Sequence, residues 1–107
     1  AGMILSNEPG YYKAGHFGIR IENLVVVEPL SIAGAEETML GFETITFAPI
    51  AQNLVDVSLL SSAEADWLDA YHAEVLAKLG AGMAGEERAW LEAACAPLDR
   101  ATAALAA

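Results

Sequence analysis

Two glutamates and an arginine are the residues of this chain best suited to chemistry. Glu8 lies in Ser6-Asn7-Glu8-Pro9-Gly10-Tyr11-Tyr12, and Glu22 in Gly18-Ile19-Arg20-Ile21-Glu22-Asn23-Leu24. Each is a single carboxylate in an otherwise apolar, β-forming setting. Two carboxylates converging from neighbouring strands suit a hard divalent cation, which prefers oxygen donors. Burying a bare charge is costly, so a carboxylate on an apolar strand calls for a metal or an ion-pair partner. Arg20 can serve as that partner. Spacing alone leaves three readings open: solvated charges, an ion pair to Arg20, or metal ligation.

The elements that must position these groups come next. Met3-Ile4-Leu5 opens a strand, and Pro9-Gly10 is a turn signal, because proline presets its φ and glycine tolerates positive φ. Gly15 and Gly18 flank the return. Ile19, Ile21 and Leu24 then lead into Val25-Val26-Val27. This reads as a β-hairpin with a long connection over residues 1–30, its second strand closed by Pro29. Successive side chains leave opposite faces of a strand, so Ile19 and Ile21 share one face and Arg20 and Glu22 the other. Residues 31–41 read as a loop. Alternation over residues 42–50 predicts a third strand ended by Pro49, with Glu43 exposed.

Residues 51–60 connect to the second half, with Leu54, Val55, Leu59 and Leu60 expected to anchor the stretch to the sheet. Ser61 followed by Glu64 is a capping box. Leu68, Tyr71, His72, Val75, Leu76 and Leu79 form one apolar stripe, which predicts a helix over about 62–79. Gly80 is expected at its C′ position, and Gly80 to Gly85 as a flexible link. A second helix is expected from about Glu86 to Cys95, with Trp90, Leu91 and Ala94 facing inward. Trp67 and Trp90 are candidates for a shared cluster between the two helices or for a dimer contact, with core packing the preferred reading. His72 reads as a hydrogen-bonded packing residue and His16 as an exposed loop residue. The alanine-rich tail, residues 101–107, is a good helix former with little to anchor it.

The chain has 107 residues, a one-domain length, with 55% hydrophobic residues and a net charge of −10. Such an acidic chain is repelled by phosphate backbones, which argues against a nucleic-acid partner. No apolar run approaches the ~20 residues of a membrane-spanning helix, and no basic-then-apolar leader opens the sequence. Cys95 is the sole cysteine, so no internal disulfide forms, in keeping with a reducing cytoplasm. It reads as a small buried apolar residue on a helix. The high apolar content predicts exposed hydrophobic surface and self-association.

The string from Gly2 to Tyr12, followed by Gly15 and by Phe17 to Leu24, resembles the end of the catalytic domain of Xaa-Pro aminopeptidases. These belong to the pita-bread metallopeptidases. Thr44 to Ile50, Leu54-Val55-Asp56 and Trp67 to His72 resemble the C-terminal extension of the large, three-domain members, which favours them over prolidases. The resemblance implies an α+β fold: a hairpin and third strand from the end of a pita-bread domain, residues 1–50, then a C-terminal helical hairpin, residues 51–107. It implies that Glu8 ligates one divalent metal and Glu22 bridges two, manganese first and zinc or cobalt next, with Arg20 and Tyr12 in support. The implied substrate is a peptide with proline in second place, and the implied protein a cytoplasmic homo-oligomer, a dimer. The family's two aspartates and metal-binding histidine precede the matching segment. The chain is therefore expected to be an inactive C-terminal fragment of a longer enzyme. Two alternatives stand beside this reading: a prolidase-type dipeptidase and a non-catalytic binding or dimerisation module.

Overall fold

The computed structural model describes residues 1–100; the helix expected over residues 101–107 lies outside the described residues. The chain divides into two compact units, Ala1–Thr46 and the residues from Phe47 onward.

The first unit holds five strands: β1 (Ile4–Asn7), β2 (Gly10–Lys13), β3 (Phe17–Arg20), β4 (Asn23–Leu30) and β5 (Met39–Thr44). Strands β1, β4 and β5 make an antiparallel sheet with β4 in the centre, and β2 pairs with β3. The two ladders are parts of one hairpin. Asn7 pairs with Asn23 on one side and Gly10 with Arg20 on the other, so the register passes through without a slip. Pro9-Gly10 is therefore not the turn. Proline has no N–H to give the ladder, so Pro9 interrupts the hairpin instead of reversing it. The reversal is a short turn at residues 14–16, where Gly15 takes φ +73° and the His16 N–H donates to the Lys13 carbonyl at 3.0 Å.

Two other strand limits differ from expectation. β4 runs through Pro29, which pairs with Leu40. β1 covers only the first half of β4, so the N–H that Pro29 lacks has no ladder partner to lose. β5 ends at Thr44 rather than at Pro49, and begins at Met39, which shortens the preceding loop. Ile45 and Thr46 complete the first unit, and from Phe47 on the backbone belongs to the second. There the Tyr71 hydroxyl donates to the Ala48 carbonyl at 2.8 Å and accepts from the Ala48 N–H, while the Ile50 N–H donates to His72 Nε2 at 3.0 Å. These side chains take the backbone groups that a longer strand would have used.

In the second unit, α1 spans Ser62–Leu79 and α2 spans Gly85–Ala94. The expected capping box is present: the Glu64 N–H donates to Ser61 Oγ, and the Ser61 N–H to the Glu64 carboxylate at 2.8 Å. The Ser61 N–H and hydroxyl, both donating to the Glu64 carboxylate, hold that carboxyl below its ordinary pKa. Leu68, Tyr71, His72 and Val75 are buried as the stripe predicts, with Ala65, Leu91, Cys95 and Leu98 completing the core. Burial pushes the Cys95 thiol pKa up, as befits an inert packing residue. Two 3₁₀ turns, Gln52–Leu54 and Val57–Leu59, precede α1. Val55, Val57 and Leu60 pack on the helical core, whereas Leu54 and Leu59 are exposed, so only half of the expected anchors hold and they hold to helices.

Gly80 is not a left-handed cap. It has φ −61° and opens a 3₁₀ turn over Gly80–Gly82, so the link between the helices is structured. Arg88 donates to the Gly80 carbonyl, and its guanidinium lies where a Cβ on residue 80 would go. Trp90 is exposed, because Leu91 takes the inward direction at the adjacent position. Trp67 is exposed as well, stacked on Tyr71 at 5.5 Å between ring centroids, so the expected tryptophan cluster does not form. After α2 the backbone is clasped to α1. Asp69 accepts the Leu98 N–H at 2.8 Å, and Arg100 reaches both Asp66 and Asp69. The hydrogen bond from Leu98 is the main reason the Asp69 carboxyl lies below its ordinary pKa.

Candidate metal centre

The interruption between the two ladders is where the candidate residues meet. With Asn7 opposite Asn23 and Gly10 opposite Arg20, the unslipped register leaves Glu8 facing Glu22 and Pro9 facing Ile21. The Ile21 N–H donates to the Pro9 carbonyl at 3.1 Å, which ties the break together. Directly opposite positions share one face of an antiparallel pair, so the two carboxylates stand side by side.

Arg20 stands between them. Its Nη1 donates to Glu8 Oε2 at 3.1 Å, and its Nε lies 3.3 Å from Glu22 Oε2. Ser6 Oγ donates to the other oxygen of Glu8 at 2.8 Å. One guanidinium thus relieves the repulsion of two facing carboxylates, a task its planar fork suits. The three side chains are 41–49% exposed, so the expectation of carboxylates shut into an apolar setting is not met within this unit. The apolar residues around them, Ile4, Tyr11, Phe17, Ile19 and Ile21, are exposed on the same hairpin.

Tyr12 takes a different place. Its ring folds over Gly10 and its partner Gly18, lying where a Cβ on either glycine would be, within 2.8 Å and 2.7 Å. It is set on a floor of glycine next to the break, outside the hydrogen bonds that join Arg20 to the carboxylates. His16 is exposed in the turn, and Glu43 is exposed on β5. His72 belongs to the second unit. It is fully buried, with the Ile50 N–H on Nε2 and the Gln52 amide 3.1 Å from Nδ1, which makes it the packing residue its position on the stripe suggested.

Two residues escaped the sequence reading. Asn23 is the only buried residue of the first unit among the described residues. Thr46 Oγ1 accepts the Leu24 N–H at 2.9 Å and lies 3.4 Å from Asn23 Oδ1. No periodicity signals a pair separated by more than twenty residues; only the strand register brings it together.

The donor chemistry fits a hard divalent cation, since Glu8 and Glu22 offer carboxylate oxygens from facing positions. The set is partial. No group of three or more His, Cys, Asp or Glu side chains that could hold a metal ion occurs among the described residues. Two facing carboxylates alone are too few to hold a metal pair, and any further ligands would have to come from outside the described residues.

Residues 38–98 match the family model of the C-terminal region of peptidase M24, and residues 1–29 match metallopeptidase family M24. The chain therefore belongs to metallopeptidase family M24, whose C-terminal region it carries. Among relatives, it is 50% identical over 102 residues to a probable Xaa-Pro aminopeptidase P of Laccaria bicolor, covering 92% of this chain and 16% of that protein. It is 54% identical over 95 residues to aminopeptidase P2 of Arabidopsis thaliana, covering 84% of this chain and 13% of that protein. The X-prolyl aminopeptidase structure from Caenorhabditis elegans, described as a cytosolic enzyme with a di-nuclear active site, superposes with a TM-score of 0.76 at 35% identity. That match covers 89% of this chain and 16% of the other. The chain thus spans about one sixth of the length of the relatives it matches, and its fold is that of the corresponding part of a pita-bread enzyme.

Proposed function

We propose that this chain is the C-terminal part of a two-metal aminopeptidase that releases the first residue of peptides with proline in second place. The observation that carries the reading is the facing pair Glu8 and Glu22 with Arg20 between them, within the stretch that matches the peptidase family. Residues 1–50 form the end of the catalytic domain and residues 51–107 the C-terminal extension. Glu8 would serve as a ligand of one metal and Glu22 as a ligand shared by both, manganese before zinc or cobalt. A pair of such cations supplies Lewis acidity and lowers the pKa of bound water.

What the chain's own residues do follows from their geometry. Glu8 and Glu22 set the spacing and the negative charge of the site. Arg20 orients each carboxylate by holding one of its oxygens, and Ser6 steadies Glu8 through the other. Such outer partners typically change metal affinity about 10–100-fold. Tyr12 supports the rim from its glycine floor. The isolated chain is inactive, because two carboxylates are too few ligands for a dinuclear site. The working protein is a cytoplasmic dimer; the cytosolic C. elegans neighbour supports the compartment, and the exposed Trp67 and Trp90 support the association.

The test is Mn²⁺-dependent cleavage of an Xaa-Pro-Xaa peptide by the full-length protein containing this chain, beside its Glu8→Ala variant. Cleavage by the native protein and its loss in the variant is the expected result. A metal-loaded native protein that cleaves no such peptide overturns the reading and leaves a non-catalytic binding module. Cleavage confined to Xaa-Pro dipeptides would make it a prolidase.

A further inference from the structure

Glu22 has no ladder partner of its own, so its direction depends on how its neighbours are held. On one side the Ile21 N–H is tied to the Pro9 carbonyl. On the other side stand Asn23 and Leu24, at the start of β4. Continuing the β4–β5 register past its last pair, Val25 with Thr44, places Leu24 opposite Ile45 and Asn23 opposite Thr46. The Ile45 N–H donates to the Leu24 carbonyl at 2.9 Å. The Leu24 N–H donates to Thr46 Oγ1, also at 2.9 Å, and the same hydroxyl faces the buried Asn23 side chain. Both backbone groups of Leu24 are therefore held by residues 45 and 46. Asn23 in turn pairs with Asn7, the residue before Glu8.

We infer that Thr46 is a positioning residue for the metal-binding carboxylates. Its hydroxyl pins the Asn23–Leu24 backbone, which fixes Glu22 directly and Glu8 through the Asn7–Asn23 pair. Asn23 and Leu24 keep their pairing with β1, but on their other side the β4–β5 ladder has ended at Val25. A hydroxyl that accepts an N–H at that point replaces the missing ladder bond. The buried amide of Asn23 makes the clamp directional, because a buried polar group needs its partners. This inference rests on the ligand role proposed for Glu22.

The experiment is a Mn²⁺ titration of the full-length protein, read by the electron paramagnetic resonance of free Mn²⁺, with thermal unfolding as the control. Thr46→Val keeps the β-branched shape and removes the hydroxyl; Thr46→Ser keeps the hydroxyl and removes the methyl. The expected result is native affinity in Thr46→Ser and about tenfold weaker binding in Thr46→Val, the scale typical of an outer hydrogen-bonding partner. Native affinity in a folded Thr46→Val, or equal loss in both variants, overturns the inference. If Thr46→Val does not fold, Asn23→Ala carries the same test, with weaker binding expected and native affinity overturning it. Glu22→Ala separates the two claims. If that variant binds Mn²⁺ as the native protein does, the ligand role of Glu22 fails, whatever Thr46 does.

Discussion

Glu8 and Glu22 face one another across a break in a hairpin whose register does not slip, and a single arginine bridges them. The break is the work of Pro9, which cannot donate to the ladder. Without it, Glu8 and Glu22 would be an ordinary cross-strand pair of like charges, which is destabilising when directly opposed. With it, the two carboxylates leave the ladder and share Arg20.

That sharing sets the outcome expected for Arg20→Ala. Both ion pairs are about half exposed, so their loss should cost only about 0.2–1 kcal/mol of stability. Metal affinity should fall much further, about tenfold or more, because the freed carboxylates repel and lose their orientation. Thermal unfolding beside a Mn²⁺ titration measures the two effects separately. Tighter metal binding in Arg20→Ala would instead make Arg20 a competitor of the cation.

Stability should fall in acid in two separate windows. Burial pushes the His72 pKa below its ordinary 6.5, with the nearby Asp69 opposing. The unfolded chain therefore binds the proton more readily than the folded one. The contribution of His72 is complete above about pH 6.5 and is lost as pH falls toward its lower folded pKa. Asp69, also depressed, contributes above its ordinary 3.8 and loses its share as pH falls further. Chemical denaturation between pH 8 and pH 5 should show the first decline, and His72→Gln should flatten it. An unchanged slope in that variant would show that another group carries the proton.

Glycines 80 and 85 should respond differently to alanine. Gly85 has φ +59°, and a Cβ there meets nothing closer than a Glu87 oxygen at 3.9 Å. The cost of Gly85→Ala is backbone strain of roughly 1–2 kcal/mol. Gly80 has helical φ, so alanine gains helix propensity, which offsets the shifts that the Arg88 guanidinium and the Leu76 methyl, 3.3 Å from the added Cβ, have to make. Gly80→Ala should leave the melting temperature nearly unchanged while Gly85→Ala lowers it.

Local chemistry made some of this molecule readable in advance. The Ser61–Glu64 capping box and the stripe from Leu68 to Val75 are signals within a few residues, and α1 begins and ends where they predict. Burial of His72 and Cys95 followed from the same helical geometry. The strand limits were less readable, because they depend on partners far along the chain. The strand expected to run to Pro49 ends at Thr44, and Tyr71 and His72, more than twenty residues on, bind the backbone of Ala48 and Ile50.

By itself, then, the sequence determined which residue types could bind a metal, the strand alternation that puts Arg20 and Glu22 on one face, and the helix that carries the second core. The tertiary structure decided that Pro9 breaks the hairpin rather than turning it, and that Glu8 lies opposite Glu22. It also decided that Arg20 reaches both carboxylates and that Thr46 holds the strand beside them. The physical reason is the range of the forces involved. Helix caps and periodic stripes act within a turn or two, whereas strand register is set by hydrogen bonds between distant segments and places every side chain on them at once.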